Sequence, residues 1–126
     1  MAMEHIILVV DDQTEIAWLV AETLREDGYA VETLTDARAL LARAEELRPE
    51  LILLDVVMPF ISLDEQLAQL HASAIVGAVP IVLVTASRLG PDLDRWRAFG
   101  VVDALAKPFD LDQLVNTVRR ALNASD

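Results

Sequence analysis

Four apolar runs in this chain end at polar side chains that could take part in group-transfer chemistry. The ends are Asp11 with Asp12, then Asp55, Thr85 and Lys107. If these groups meet, a carboxylate could attack a phosphoryl group while the ammonium and the hydroxyl hold its oxygens. Asp55 closes a run of four apolar residues, so we expect it at the carboxyl end of a buried strand, where open α/β sheets bind ligands.

The segments that carry these groups alternate between strand and helix patterns. Largely apolar runs predict strands at residues 5–10, 51–55, 80–85 and 101–106, and the first and third of the five predicted strands are expected to be buried on both faces. A more alternating run at 30–34 predicts a strand nearer an edge. Amphipathic segments after each run predict five helices. The alternation predicts one α/β domain over residues 1–126, with a five-stranded parallel sheet and helices on both faces.

Helical spacing also predicts which side chains face the core. For the first and last helices the predicted inward residues are Ile16, Leu19, Val20, Thr23 and Leu24, and Leu111, Leu114, Val115, Val118 and Leu122. Asp12 or Thr14 is expected to cap the first helix, Asp36 the second, and Asp110 with Gln113 the fifth. Trp18 lies off the inward stripe, so we expect it to be partly exposed.

The strand ends should gather at one edge of the sheet, because parallel strands all point the same way. Three neighbouring carboxylates, Asp11, Asp12 and Asp55, would resist ionisation unless a cation compensates them. A ligand set of oxygens without His or Cys favours a hard cation, and an open, partly hydrated site suits Mg²⁺. The sequence therefore predicts a Mg²⁺ site at which Asp55 accepts a phosphoryl group held by Thr85 and Lys107.

Each of these residues also has an ordinary explanation. Asp11 and Asp12 could only cap a helix, Thr85 could be a β-branched strand residue, and Lys107 could be a surface charge. Lys107 is, however, the only lysine in the chain, while every other Lys or Arg position is arginine. A compact ammonium is therefore favoured at this position. The ordinary explanations together require four coincidences at one sheet edge.

The composition narrows the class of protein. The formal net charge of −11 argues against binding to a nucleic-acid backbone, which needs clustered Lys and Arg. No cysteine is present, so disulfides and thiolate metal sites are excluded. No apolar stretch approaches the roughly 18 residues of a membrane helix, and the N-terminus lacks the basic region of a secretory signal. We expect a cytoplasmic protein that does not contact the membrane.

The motifs around the strand ends resemble the signature of the response-regulator receiver domain. They are Val-Val-Asp11-Asp12, Leu-Leu-Asp55-Val-Val-Met58-Pro59, Val-Thr85-Ala86 and Lys107-Pro108-Phe109. The resemblance implies a flavodoxin-like sheet of order 2-1-3-4-5 and phosphorylation of Asp55 by a sensor histidine kinase or phosphotransfer protein. It implies Mg²⁺ held by Asp12 and Asp55 directly, by Asp11 through water, and by the Val57 carbonyl. It also implies a cis Lys107-Pro108 bond.

The resemblance further implies a switch rather than a turnover enzyme. Phosphorylation would change the surface of helix 4, strand 5 and helix 5, which would act on a downstream protein or on an output domain missing from this sequence. Both a monomer and a homodimer stay open. In similar domains helix 1 docks the kinase or phosphotransfer protein, so Trp18 is the predicted docking residue.

Three positions depart from the family pattern. Ala104 stands where similar domains carry a Tyr or Phe that reorients together with the threonine. We therefore expect Thr85 to signal through the loop from Ser87 to Pro91 and helix 4. Leu63 stands where similar domains have a glycine, which makes the start of helix 3 uncertain. Val57 cannot orient a hydrolytic water.

Two other functions are open on the sequence. One is a receiver-like interaction module that binds partners without phosphorylation, which Ala104 favours. The other is a flavodoxin-like cofactor binder, although the chain has acidic residues instead of a glycine-rich phosphate loop after the first strand. Mg²⁺-dependent labelling discriminates the phosphoacceptor from the interaction module, and flavin absorbance would identify the cofactor binder.

Overall fold

The chain forms a five-stranded parallel sheet with the order β2-β1-β3-β4-β5. The computed structural model describes residues 6–86 and 90–124. The strands are β1 Ile6–Val10, β2 Ala30–Leu34, β3 Leu51–Asp55, β4 Ile81–Thr85 and β5 Val101–Ala106. The predicted strand order and the edge position of β2 are confirmed.

Within the described residues, five α-helices connect and follow the strands. They are α1 Thr14–Glu26, α2 Leu40–Leu47, α3 Leu63–Ala72, α4 Gly90–Arg97 and α5 Leu111–Ala124, with a short 3₁₀ helix Ala37–Ala39 before α2. The predicted capping box of α5 is confirmed, since Gln113 N–H donates to Asp110 Oδ1 at 2.7 Å and Asp110 N–H donates to Gln113 Oε1 at 3.0 Å. Ser62 caps α3, so this helix begins at Leu63 without the usual glycine. No helix in the described part of the chain is long and apolar enough to span a membrane.

The core lies on both faces of the sheet, as the β-strand pattern predicts. Alternate residues of β1 point to opposite faces: Ile7 and Val9 pack with α1 and α5, whereas Leu8 and Val10 pack with the other helices. The first layer, which we call the α1–α5 layer, contains Val20, Leu24, Leu114 and Val118. The second, the α2–α3–α4 layer, contains Leu40, Leu67, Leu70 and Trp96.

Two predicted core positions, one in α1 and one in α5, are wrong. Leu19 and Leu111 are 45% and 43% exposed, although helical spacing placed both in the core. The α1 face that is buried carries Ala17 and Ala21 beside the larger residues. Small side chains let a helix approach the sheet closely, so the buried stripe is rotated away from Leu19. A pattern built on the largest apolar residues misses this rotation.

The structure also differs from two of the predicted helix caps, those of α1 and α2. The N-cap of α1 is Gln13, which makes no side-chain capping bond, and neither Asp12 nor Thr14 caps this helix. The carboxylate of Asp11 instead accepts the Gln13 backbone N–H, because Asp11 is drawn into the pocket at the strand ends. Asp36 caps the 3₁₀ helix that leads into α2 rather than α2 itself.

Candidate functional site

The parallel strands bring the predicted polar residues to the carboxyl edge of the sheet. Asp11 follows β1, Asp55 ends β3, Thr85 ends β4 and Lys107 follows β5. Asp11, Asp55 and Thr85 are only 3%, 5% and 2% exposed, whereas Asp12 is exposed. The Lys107 backbone N–H donates to the Thr85 carbonyl at 2.7 Å, which continues the β4–β5 ladder up to the lysine.

Three carboxylates converge at this edge. Asp11, Asp12 and Asp55 each offer an oxygen, and these atoms lie within 4.8 Å of one another. One oxygen of each buried carboxylate is bound by the backbone: Gln13 N–H donates to Asp11 Oδ1 at 2.9 Å, and Val57 N–H donates to Asp55 Oδ1 at 3.1 Å. These bonds fix the orientation of the two buried side chains.

Lys107 bridges the other oxygens of the two buried carboxylates. Its Nζ lies 3.1 Å from Asp11 Oδ2 and 3.4 Å from Asp55 Oδ2. The site therefore holds three carboxylates and one ammonium, which contacts two of them, so negative charge is in excess. Such a site attracts a further cation.

Burial raises the pKa of Asp55 above its ordinary value, and the negative charge of Asp11 adds to this effect. The Val57 N–H and the Lys107 ammonium act in the opposite direction but do not cancel the rise. The rise in pKa means that Asp55 ionises less readily here than an aspartate in water does. A cation at the pocket would favour the ionised form.

The pocket has room for a small anionic group. Its cavity of about 310 Å³ is lined by Asp12, Gln13, Asp55, Val57, Ala86 and Lys107. A water molecule takes about 30 Å³ in the liquid, so a phosphoryl group and several waters fit this volume. The Val57 side chain is 71% exposed at the cavity wall, and its apolar surface offers no hydrogen bond to a water.

The structure describes only some of the residues predicted to form the switch. Thr85 is buried at the end of β4 and pairs with Ala106. Ala104 pairs with Leu83 and packs against the α2–α3–α4 layer. Ser87 and the first part of the predicted signalling loop lie outside the described residues. The Lys107-Pro108 peptide bond is cis, as predicted.

Trp18 is 62% exposed, as its position off the buried stripe predicts. Trp18 and neighbouring apolar side chains form a surface that we call the α1 patch. The sequence pattern placed some of these neighbours in the core and did not assign the others a role. The members of the patch are Ile16, Trp18, Leu19, Phe109 and Leu111. A cavity of about 380 Å³ in this patch is also lined by Ala86 and Lys107, so the patch borders the acidic pocket. The exposed leucines were missed because their burial depends on the rotation of each helix.

Comparison with known proteins agrees with this geometry. The profile of the response regulator receiver domain matches residues 7–119. The chain is 34% identical over 124 residues to the DNA-binding response regulator MtrA of Mycolicibacterium paratuberculosis, which covers 98% of this chain and 54% of that protein. It is 33% identical over 122 residues to the DNA-binding dual master transcriptional regulator RpaA of Synechocystis, with 95% and 50% covered. The chain thus spans about half the length of these relatives.

Solved structures show the same fold. The chemotaxis protein CheY4 of Vibrio cholerae superposes with a TM-score of 0.87 at 32% identity, over 95% of this chain and 100% of that one. A parallel sheet of this order is the flavodoxin-like fold, and here it carries an acidic pocket at its carboxyl edge. The chain belongs to the response regulator receiver domain family, the signalling switches of two-component systems.

Proposed function

We propose that this chain is a phosphoacceptor switch in which Asp55 receives a phosphoryl group from a histidine kinase or phosphotransfer protein. The observation that carries this proposal is the convergence of three carboxylates within 4.8 Å, with Lys107 bridging the two buried ones. In this proposal residues 1–126 act as one receiver unit, which is not a turnover enzyme for a separate metabolite.

The transfer forms a bond between a carboxylate oxygen of Asp55 and phosphorus, and it breaks the phosphorus–nitrogen bond of a phosphohistidine. The imidazole nitrogen retains the electron pair of that bond and can take a proton. Lys107, already 3.4 Å from Asp55 Oδ2, would hold one phosphoryl oxygen by charge, and the hydroxyl of Thr85 would bind another. Water later attacks phosphorus, which releases inorganic phosphate and restores the carboxylate.

The donor set fits Mg²⁺. The three described carboxylates offer oxygen ligands, which favour a hard cation, and the pocket is open enough to keep waters on the ion. Asp11 is proposed to contact the ion through water, as the resemblance to receiver domains implies. Asp12, Asp55 and the Val57 carbonyl are the proposed direct ligands. Mg²⁺ supplies positive charge that keeps the carboxylates ionised and neutralises an incoming phosphoryl oxygen.

The α1 patch is the proposed docking surface for the phosphodonor protein. It combines a 62% exposed tryptophan with two leucines that are nearly half exposed, and it borders the acidic pocket through Ala86 and Lys107. Exposed aromatic side chains are frequent anchors of protein interfaces. On the output side, the α4–β5–α5 surface would act on a downstream protein or on an output domain, as the greater length of the DNA-binding relatives suggests. The acidic receiver itself is not proposed to bind nucleic acid.

The test is phosphorylation by acetyl phosphate in the presence of Mg²⁺, followed by intact mass. We expect one added phosphoryl group, lost in Asp55→Asn and in a sample with EDTA. Modification that persists in Asp55→Asn would assign the acceptor elsewhere. Absence of both modification and Mg²⁺ binding, with the fold intact, would favour the interaction module, whose support is Ala104 in place of the usual aromatic ring.

A further inference from the structure

Among the described side chains of α4, one large residue is buried in the domain. Of these side chains, at 93–97, Trp96 is buried at 6% exposure and Leu93 is partly buried, whereas the other three are charged and exposed. The Trp96 ring lies in the α2–α3–α4 layer, where it is the one aromatic among the buried members that the structure describes. The position of α4 therefore depends on how this ring is held.

The ring is tied to α3 by a hydrogen bond. Trp96 Nε1 donates to Asp64 Oδ1 at 3.0 Å. Arg95 reaches the same oxygen at 3.4 Å, and its guanidinium carbon lies 5.2 Å from the centroid of the Trp96 ring. A buried indole N–H needs an acceptor, and here an exposed carboxylate on a neighbouring helix supplies it.

Asp64 is also close in sequence to the loop that leaves the phosphoacceptor. It lies in the first turn of α3, directly after the Ser62 cap, which accepts the Glu65 N–H at 3.2 Å. Residues 56–61 join this cap to Asp55, and the Val57 N–H in that loop is bound to Asp55 Oδ1. A phosphoryl group on Asp55 would change the acceptor that holds this N–H, and a loop displacement would be carried by the capped helix to Asp64.

The position of Ala104 adds a second observation. Ala104 packs against the same layer that contains Trp96. An alanine has no ring that can reorient at the β5 position. Trp96 on α4 is the buried aromatic that the structure describes in this layer, beside the partly buried Phe99.

We propose that the Asp64–Trp96 hydrogen bond couples the loop after Asp55, residues 56–61, to α4, so that phosphorylation of Asp55 repositions α4 through α3. This inference rests on the proposed phosphoacceptor function. It differs from signalling through Thr85, because the signal leaves by the loop after β3 and not by the segment after β4.

The test uses the full chain in a Trp18→Phe background, which leaves Trp96 as the only tryptophan. Acetyl phosphate and Mg²⁺ are added, intact mass reports the phosphorylation, and Trp96 emission reports the surroundings of α4. The variants are Asp64→Ala, which removes the acceptor, and Asp64→Asn, which keeps an amide oxygen. Glu65→Ala is the matched control, since it removes an exposed acid from the same turn of α3. The Asp64 side chain is 67% exposed, so these variants are expected to fold.

We expect phosphorylation to shift Trp96 emission in the background chain, in Asp64→Asn and in Glu65→Ala. In Asp64→Ala the emission shift should be lost while the added mass remains. An equal shift in Asp64→Ala would overturn the coupling, as would an unchanged emission in a fully phosphorylated background chain. Absence of both added mass and Mg²⁺ binding in every sample would refute the phosphoacceptor function and, with it, this coupling.

Discussion

Replacing Lys107 with alanine in metal-free buffer should strongly destabilise the chain. The ammonium lies 3.1 Å from Asp11 Oδ2 and 3.4 Å from Asp55 Oδ2, and the lysine side chain is 17% exposed. At an effective dielectric constant of about 20, each of these distances corresponds to about 5 kcal/mol of attraction. Burial of the ammonium costs several kcal/mol of hydration, so we expect a net loss of about 3 kcal/mol in the free energy of unfolding.

This loss can be measured as a fall in the unfolding temperature. An unfolding entropy of about 2.1 cal/mol/K per residue gives about 0.26 kcal/mol/K for 126 residues. A loss of about 3 kcal/mol therefore lowers the Tm by roughly 11 °C. The assay is thermal unfolding followed by circular dichroism in EDTA and then in saturating Mg²⁺, which should recover part of the loss by compensating the same carboxylates.

Lys107→Arg is the matched control, because it keeps the positive charge on a bulkier group. We expect its unfolding temperature in EDTA to lie between those of the wild type and Lys107→Ala. A Tm of Lys107→Ala equal to that of the wild type in EDTA would refute the reasoning. It would mean that the ammonium does not offset the repulsion between Asp11 and Asp55.

Three further predictions concern the acceptor, the docking surface and α5. Burial and the charge of Asp11 raise the pKa of Asp55 in the folded chain. Protonation of Asp55 therefore stabilises the fold at a pH below the pKa of the unfolded chain, near 3.8, and this stabilisation is lost as the pH rises through the pKa of the folded chain. Asp55→Asn should therefore have a higher Tm than the wild type in EDTA at pH 7, by a margin that narrows in acid; a margin independent of pH would contradict this. Trp18→Ala should slow phosphoryl transfer from the partner protein about 30-fold, the equivalent of a 2 kcal/mol interface anchor, and leave labelling by acetyl phosphate unchanged. Equal slowing with both donors would exclude a docking role. Asp110→Ala should cost about 1 kcal/mol in urea unfolding through loss of the α5 capping bond, and an unchanged midpoint would show that the cap is dispensable.

The fold and the polar members of the pocket could be predicted because both depend on local patterns. A buried parallel strand is a short apolar run, and the residue that ends it is fixed by the sequence alone. Parallel strands then bring Asp11, Asp55, Thr85 and Lys107 to one edge without further information. The α5 capping box was equally local, because its two residues are three positions apart.

The rotation of the helices could not be predicted in the same way. Leu19 and Leu111 match a helical stripe, yet both are nearly half exposed. Which part of a wide apolar face is buried depends on how closely the helix approaches the sheet, and in α1 Ala17 and Ala21 permit a close approach. The α1 patch could therefore be recognised only in the folded structure.

The sequence by itself determined the order of the elements, the five-stranded sheet and the residue types at its carboxyl edge. Only the tertiary structure decided which charges meet: Lys107 contacts Asp11 across 96 positions of the chain, and Trp96 reaches Asp64 across 32. The physical reason is that strand and helix patterns are set by neighbouring residues and burial, whereas side-chain pairs depend on the distances at which separate elements pack.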